Sequence, residues 1–220
     1  TADGPNGISA NCLKVDCTTA DTSIAAGERL VLQHKIESQN CQRIGKGVAG
    51  AKQVTVSFYV KASAAFTFGL EIFQSAHSRQ CTKLFDTTTD WVRHEIVFPA
   101  DVDDGSSPIA DDTTEGIVLQ FWLHAGATYT GGTLNTAAFA NSTNANRAVG
   151  IDSIFSSTDN NFFLTGLQCE VGPVATEFEQ EDITTTLGRC MRYYEKQIAD
   201  NGTFIAVGYN ESTSNGRGLV

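Results

Sequence analysis

Along residues 52 to 63, KQVTVSFYVKAS, the apolar Val54, Val56, Phe58 and Val60 alternate with Thr55, Ser57, Tyr59 and Lys61. A period of two places the first set on one face of an extended chain and the second set on the other, which predicts a strand with one buried side. The same alternation runs through ERLVLQHKIES at Leu30, Leu32 and Ile36, and through AFTFGLEIF at Phe66, Phe68, Leu70 and Ile72. It returns in VRHEIVFPA at Val92, Ile96 and Phe98, and in GIVLQFWLHAG at Ile117, Leu119, Phe121 and Leu123. NNFFLTGLQCEVG repeats it at Phe163, Leu167, Cys169 and Val171. Six strands are therefore predicted.

Between them lie stretches such as DVDDGSSPIADDTTEG and TYTGGTLNTAAFANSTNANRAVG, whose Gly, Asn, Asp, Ser and Thr side chains satisfy turn backbones locally. The second is long enough to hold a short helix or an edge strand, and connections of this length commonly carry function or contact a partner. Strand after strand with almost no helical period before residue 180 predicts an all-β fold, an antiparallel two-sheet sandwich of the jelly-roll kind, spanning residues 1–181. No fixed repeat is visible, which argues against a propeller or a parallel β-helix. Residues 182–220 are expected to form a linker and the start of a second small C-terminal β element. TTTLGRCMRYYEKQI makes a short helix or connecting strand there, and GTFIAVGY makes one strand whose partners lie past the end of the chain. Missing an initiator Met and ending at NGRGLV, the sequence reads as a piece of a longer polypeptide.

The stretch TGLQCEVGPVATEFE, residues 165–179, has a definite local design. Leu167, Cys169 and Val171 are expected to point into the core while Gln168 and Glu170 face outward. Gly172 and Pro173 end the strand by withholding a side chain and a donor, and Phe178 folds back as a plug. FFLTGLQCEVGPVATEFE followed by LGRCMRYYEK resembles the closing strand of a domain found in structural and tail-fibre proteins of bacteriophages. There a strand ending G-V-Q-L-E-x-G leads to A-T-x-F-E and then to L-x-x-C-x-R-Y-Y. LQHKIESQNCQRIGKG, AKQVTVSFYVKAS, TTDWVRHEIVFPA and GIVLQFWLHAG resemble the family's earlier strands in order, so the resemblance covers most of residues 25 to 198. Cys169 stands where the family often has Leu, and Glu177 where Pro is common.

The resemblance implies a non-enzymatic virion component, a tail-fibre or tail-appendage domain similar to carbohydrate-binding modules. It implies a homotrimer that assembles with other virion tail proteins and takes part in host attachment. Attachment would come through host envelope polysaccharide or through scaffolding of the fibre. A carbohydrate-binding module of an extracellular bacterial enzyme is the alternative.

Composition narrows the partners. With 15 basic against 25 acidic residues among 220, the chain repels a phosphate backbone, so nucleic acid is not an expected partner. No apolar run reaches the ~18 residues a membrane helix needs, and the N-terminus has neither a basic nor an apolar leader region, so membrane insertion is not expected. Cys12, Cys17, Cys41, Cys81, Cys169 and Cys190 form no C-x-x-C pair, and isolated thiols are expected rather than a metal site or a disulfide framework. No cofactor is implied.

For chemistry, the polar faces of the strands offer Tyr59, Glu71, Gln120, Trp122, His124, Gln168 and Glu170, a mixture suited to a glycan. Aromatic rings cover apolar sugar faces, and amides and carboxylates take hydroxyls. Cover by a long loop or a neighbouring subunit is the competing expectation for Tyr59 and Trp122. His34, His77, His94 and His124 accompany no nucleophile motif. Carboxylate pairs such as Glu71 and Glu95 can be drawn as a glycosidase acid and base, but with 25 acidic residues any pair can be, and no catalytic pair is expected. The acidic DVDDGSSPIADD lacks EF-hand spacing and is expected to be a solvated loop, with a structural calcium site as the alternative.

Overall fold

The computed structural model describes residues 1–102, 108–194, 207–212 and 215–219, and it separates into two units, Thr1–Glu179 and Gln180–Val220. The first unit is a two-sheet antiparallel sandwich. Its strands are β1 (Leu13–Asp16), β2 (Arg29–Glu37), β3 (Val54–Ala62), β4 (Thr67–Gln74), β5 (Arg79–Asp86), β6 (Val92–Phe98), β7 (Glu115–Ala125), β8 (Ala140–Asn141) and β9 (Asn161–Val171). One sheet runs β1-β9-β3-β6 and the other β2-β7-β4-β5-β8. The chain passes from sheet to sheet at β1–β2, β2–β3, β3–β4, β5–β6, β6–β7 and β8–β9, the repeated crossing of a jelly roll.

Six of these strands are the six predicted by alternation, because each has one face on the core. Val56, Phe58 and Val60 of β3 meet Phe68, Leu70 and Ile72 of β4 and Leu119, Phe121 and Leu123 of β7 between the sheets. Phe58 of the four-stranded sheet stands edge-on to Phe85 and Phe121 of the other, each 5.1 Å away between ring centres, and Phe162 stands edge-on to Phe68 at 5.5 Å. Such edge-to-face pairs contribute about 0.5–1.5 kcal/mol each beyond the area they bury.

β9 departs from the expected parity. Phe163, expected inside, lies on the outer face, and Phe162 and Leu164 fill the core instead. The register between β3 and β9 shifts between Ser57 and Tyr59, where Gly166 takes a φ of 58°. One inserted residue reverses which side chains point inward. Leu167 and Cys169 then pack against the core as expected, whereas Val171 is 38% exposed. Phe178 is half-buried and lies outside the core cluster.

In the second unit, α2 (Ile183–Met191) follows α1 (Ala127–Thr130) of the first unit in chain order and is capped by Asp182, whose carboxylate accepts from the Thr184 N–H at 2.8 Å. β10 (Val207–Ser212) pairs with β11 (Asn215–Leu219) as an antiparallel hairpin. The partner of β10 therefore lies within the chain, not past its end as the sequence suggested, and residues 202–206 of GTFIAVGY lie outside the described residues.

Candidate functional site

The outer face of the five-stranded sheet is built from the polar-phase residues of β2, β4 and β7, but it is largely roofed. Trp122 is only 1% exposed and Glu71 is fully buried. The roof is the connection after β7, which brings Tyr129 of α1, Arg147 and Ala148 over the sheet. Arg147 reaches down to Glu71 with both arms of its guanidinium, Nε to Oε1 at 3.0 Å and Nη2 to Oε2 at 2.8 Å. The indole N–H of Trp122 donates to the same carboxylate at 2.9 Å. Burial raises the Glu71 pKa, and Arg147 and Trp122 act against it. Arg147 also lies 4.5 Å from the ring centre of Phe73 and 5.1 Å from that of Trp122. With Tyr129 tilted against it at 5.3 Å, the Trp122 ring has no free face on which to stack a sugar.

Beside this roof, on the β2 side, the sheet stays open in a cleft of about 130 Å³. Its walls include Arg29, Gln33 and Lys35 of β2, Gln120 of β7, and Phe73 and Trp122. Pockets for drug-sized ligands run to roughly 300–1,000 Å³. This one therefore suits a single sugar-sized group or the end of a chain. Gln33 and Gln120 meet across the strand pair at 3.1 Å, and Gln120 is only 4% exposed. Lys35 pairs with Glu115 at 2.7 Å, and Ser75 donates to the same carboxylate. Burial acts to raise the Glu115 pKa, but those two partners outweigh it and hold the group below its ordinary range. Arg29 donates to the Tyr129 hydroxyl and lies 5.0 Å from its ring centre, with no carboxylate partner among the described residues. Three cations against two carboxylates leave this cleft with one positive charge over, on a chain whose net charge is −10.

The seven residues singled out in the sequence do not form one surface. Glu71, Gln120 and Trp122 lie on the outer face of the five-stranded sheet, and Tyr59, Gln168 and Glu170 lie on the outer face of the four-stranded sheet, on the other side of the sandwich, while a register shift between β2 and β7 sets His124 opposite the core-packed Leu30 and out of line with Trp122. Of the seven, only Gln120 and Trp122 line the cleft. His124 is buried against Phe155 with its Nδ1 2.7 Å from Ser153 Oγ. That hydroxyl also accepts the Phe155 N–H at 3.1 Å, which makes it the cap of the short turn Ile154–Ser156.

On the opposite face, Gln168 and Glu170 hold down the segment after β9. The Thr176 N–H and hydroxyl donate to Glu170 at 3.0 and 2.7 Å, and the Glu179 N–H donates to Gln168 at 2.9 Å. The conspicuous Q-C-E-V-G-P-V-A-T-E-F-E is thus a strand whose outward side chains fasten the strap that follows it. Tyr59 lies against Gly166 and 6.0 Å from Arg93.

No family model, curated protein or solved structure matches this chain.

Glu71 and Glu95 sit on opposite faces of the sandwich, so they are not a pair across one bond. The six cysteines are free, and burial pushes Cys41 and Cys81 up to about 11 and Cys169 to about 12, which keeps them protonated and unreactive at neutral pH. Among the described residues there is no cluster of three or more metal-ligating side chains, and no helix long and apolar enough to cross a membrane. Residues 103–107 of the acidic loop lie outside the described residues. Sequence reasoning missed Arg29, Gln33, Lys35 and Arg147. The β2 residues carried a signal, since Gln33 and Lys35 occupy the polar phase of that strand. Arg147 carried none, because it meets Glu71 across 76 residues of chain.

Proposed function

We propose that this chain is a non-enzymatic component of a bacteriophage particle, a tail-fibre or tail-appendage domain. It takes part in host attachment by binding surface glycan, and as a trimer it scaffolds the fibre together with other tail proteins. The observation that carries the glycan-binding reading is the open cleft beside the roofed sheet, where an amide pair and a surplus cation converge on a jelly-roll face. The assignment to a phage particle rests on the ordered run of motifs from residue 25 to 198, with the β-sandwich they require. A trimer is supported by α2, where Ile183, Leu187 and Met191 recur every four residues and are exposed. An exposed apolar stripe of that spacing calls for a covering surface.

Antibodies raised against the chain should label the tail appendages of intact particles in immunogold electron microscopy. Label found only in soluble extracts, beside a secreted hydrolase, would instead support the reading as a carbohydrate-binding module of an extracellular bacterial enzyme.

A further inference from the structure

We infer that the cleft beside the roofed sheet selects an acidic saccharide, with the anionic group of the sugar paired to Arg29 and its hydroxyls taken by the Gln33 and Gln120 amides. This rests on the glycan-binding reading above and names the ligand class. Three observations carry it.

The first concerns what is missing from the cleft. Neutral glycan sites lean on an aromatic platform, but both aromatic residues here are already covered by side chains of the protein. Arg147 covers Phe73, and Arg147 with Tyr129 covers Trp122. Attraction must therefore come from polar and charged groups.

The second is the charge. Lys35 and Arg147 are matched by Glu115 and Glu71, so the surplus belongs to Arg29, which is exposed at the rim and fixed by the Tyr129 hydroxyl and ring. A guanidinium held by one edge keeps its other donors in a fork that fits the two oxygens of a carboxylate.

The third is the amide pair. Gln33 and Gln120 share one hydrogen bond, and among the described residues neither side chain makes another. Whichever way round the two amides sit, one polar group on each stays open toward the cleft. Gln120 is otherwise almost wholly buried and Gln33 is exposed, so the open ends meet solvent in the cleft, where a ligand's hydroxyls can take the place of water.

The test uses the full chain and three immobilised polymers: polygalacturonate for carboxylate, dextran sulfate for sulfate and plain dextran for a neutral glycan. Arg29→Gln and Gln33→Ala are compared with Lys52→Gln, an exposed cation outside the cleft. Circular dichroism confirms that each variant folds. The expected result is saturable binding to one or both acidic polymers and none to dextran. Arg29→Gln should weaken it at least about tenfold, as expected for losing a charge-assisted contact. Gln33→Ala should weaken it severalfold, and Lys52→Gln should leave it unchanged. Salt near 1 M, where the screening length falls to ~3 Å, should abolish it.

Preference for polygalacturonate over dextran sulfate assigns the carboxylate, and the reverse assigns sulfate. Dextran binding that Arg29→Gln leaves intact overturns the acidic selectivity while keeping the glycan reading. Equal losses in Arg29→Gln and Lys52→Gln overturn the site. No binding to any polymer overturns both readings.

Discussion

Gly166 takes a φ of 58°, and a Cβ placed there would lie 2.9 Å from Cδ2 of Tyr59 and 3.2 Å from Cγ2 of Ile8. Both the backbone angle and the close ring demand glycine. Gly166→Ala is expected to cost about 1–3 kcal/mol by urea denaturation. Tyr59→Ala in the same chain should relieve the steric part, giving a non-additive cycle; strictly additive losses would refute the contact. This residue also reverses the inward set of β9 relative to simple alternation. The parity of Phe163 could not be read from alternation once a bulge intervened, although a glycine inside a strand pattern was the available signal.

His124 offers a second test at this scale. Burial lowers its pKa below the ordinary 6.5, against the opposing pull of Glu28 and Asp21. The unfolded chain therefore takes up the proton first, so this contribution to stability is present above pH 6.5 and is lost as pH falls below it. His77 shifts in the same direction, so His124→Gln should flatten, not abolish, the decline of urea stability below pH 6.5. An unchanged slope in the variant would show that His124 takes no part. Glu115 and Glu170, two of the carboxylates whose pKa values are lowered, act in a separate window below their ordinary 4.5.

Among the elements, the strands that alternation identified are those with the core on one side and water or a thin cover on the other. β5 escaped because its register places Lys83 opposite Leu70, on the core side of the strand, and leaves Leu84 40% exposed. Near the sheet edge the core runs out, and Lys83 extends to the Thr136 carbonyl at 2.5 Å. β7 was legible as a strand but not as a doubly buried one, since its second cover is a loop with no periodic signature.

That loop is fastened by the Arg147–Glu71 fork. Arg147→Met would strand a buried carboxylate and is expected to cost about 3–5 kcal/mol. Adding Glu71→Gln removes the stranded charge and keeps an acceptor for the Trp122 N–H. The double variant should recover most of the loss, as measured by chemical denaturation. A double variant no more stable than Arg147→Met would show that the ion pair is not what holds the roof.

For the whole molecule, the question is what brings copies together against a net charge of −10. Like charge disfavours association everywhere except at a specific interface, so the proposed trimer needs an apolar contact strong enough to overcome it. The exposed stripe Ile183, Leu187 and Met191 is the candidate in the second unit, with Ile183 75% exposed. Four residues of spacing bring these side chains onto one helical face, where three copies can bury them together. Sedimentation equilibrium of the chain should give a three-chain mass that grows more stable as salt screens the acidic surface. Ile183→Glu with Leu187→Glu puts charge into that contact and should yield monomers, with the β-sheet circular dichroism unchanged. A trimer that survives both substitutions would move the interface away from α2, onto a surface of the sandwich itself. A monomer in the unaltered chain at all salt concentrations would remove the trimer from the proposal and leave the cleft to act alone.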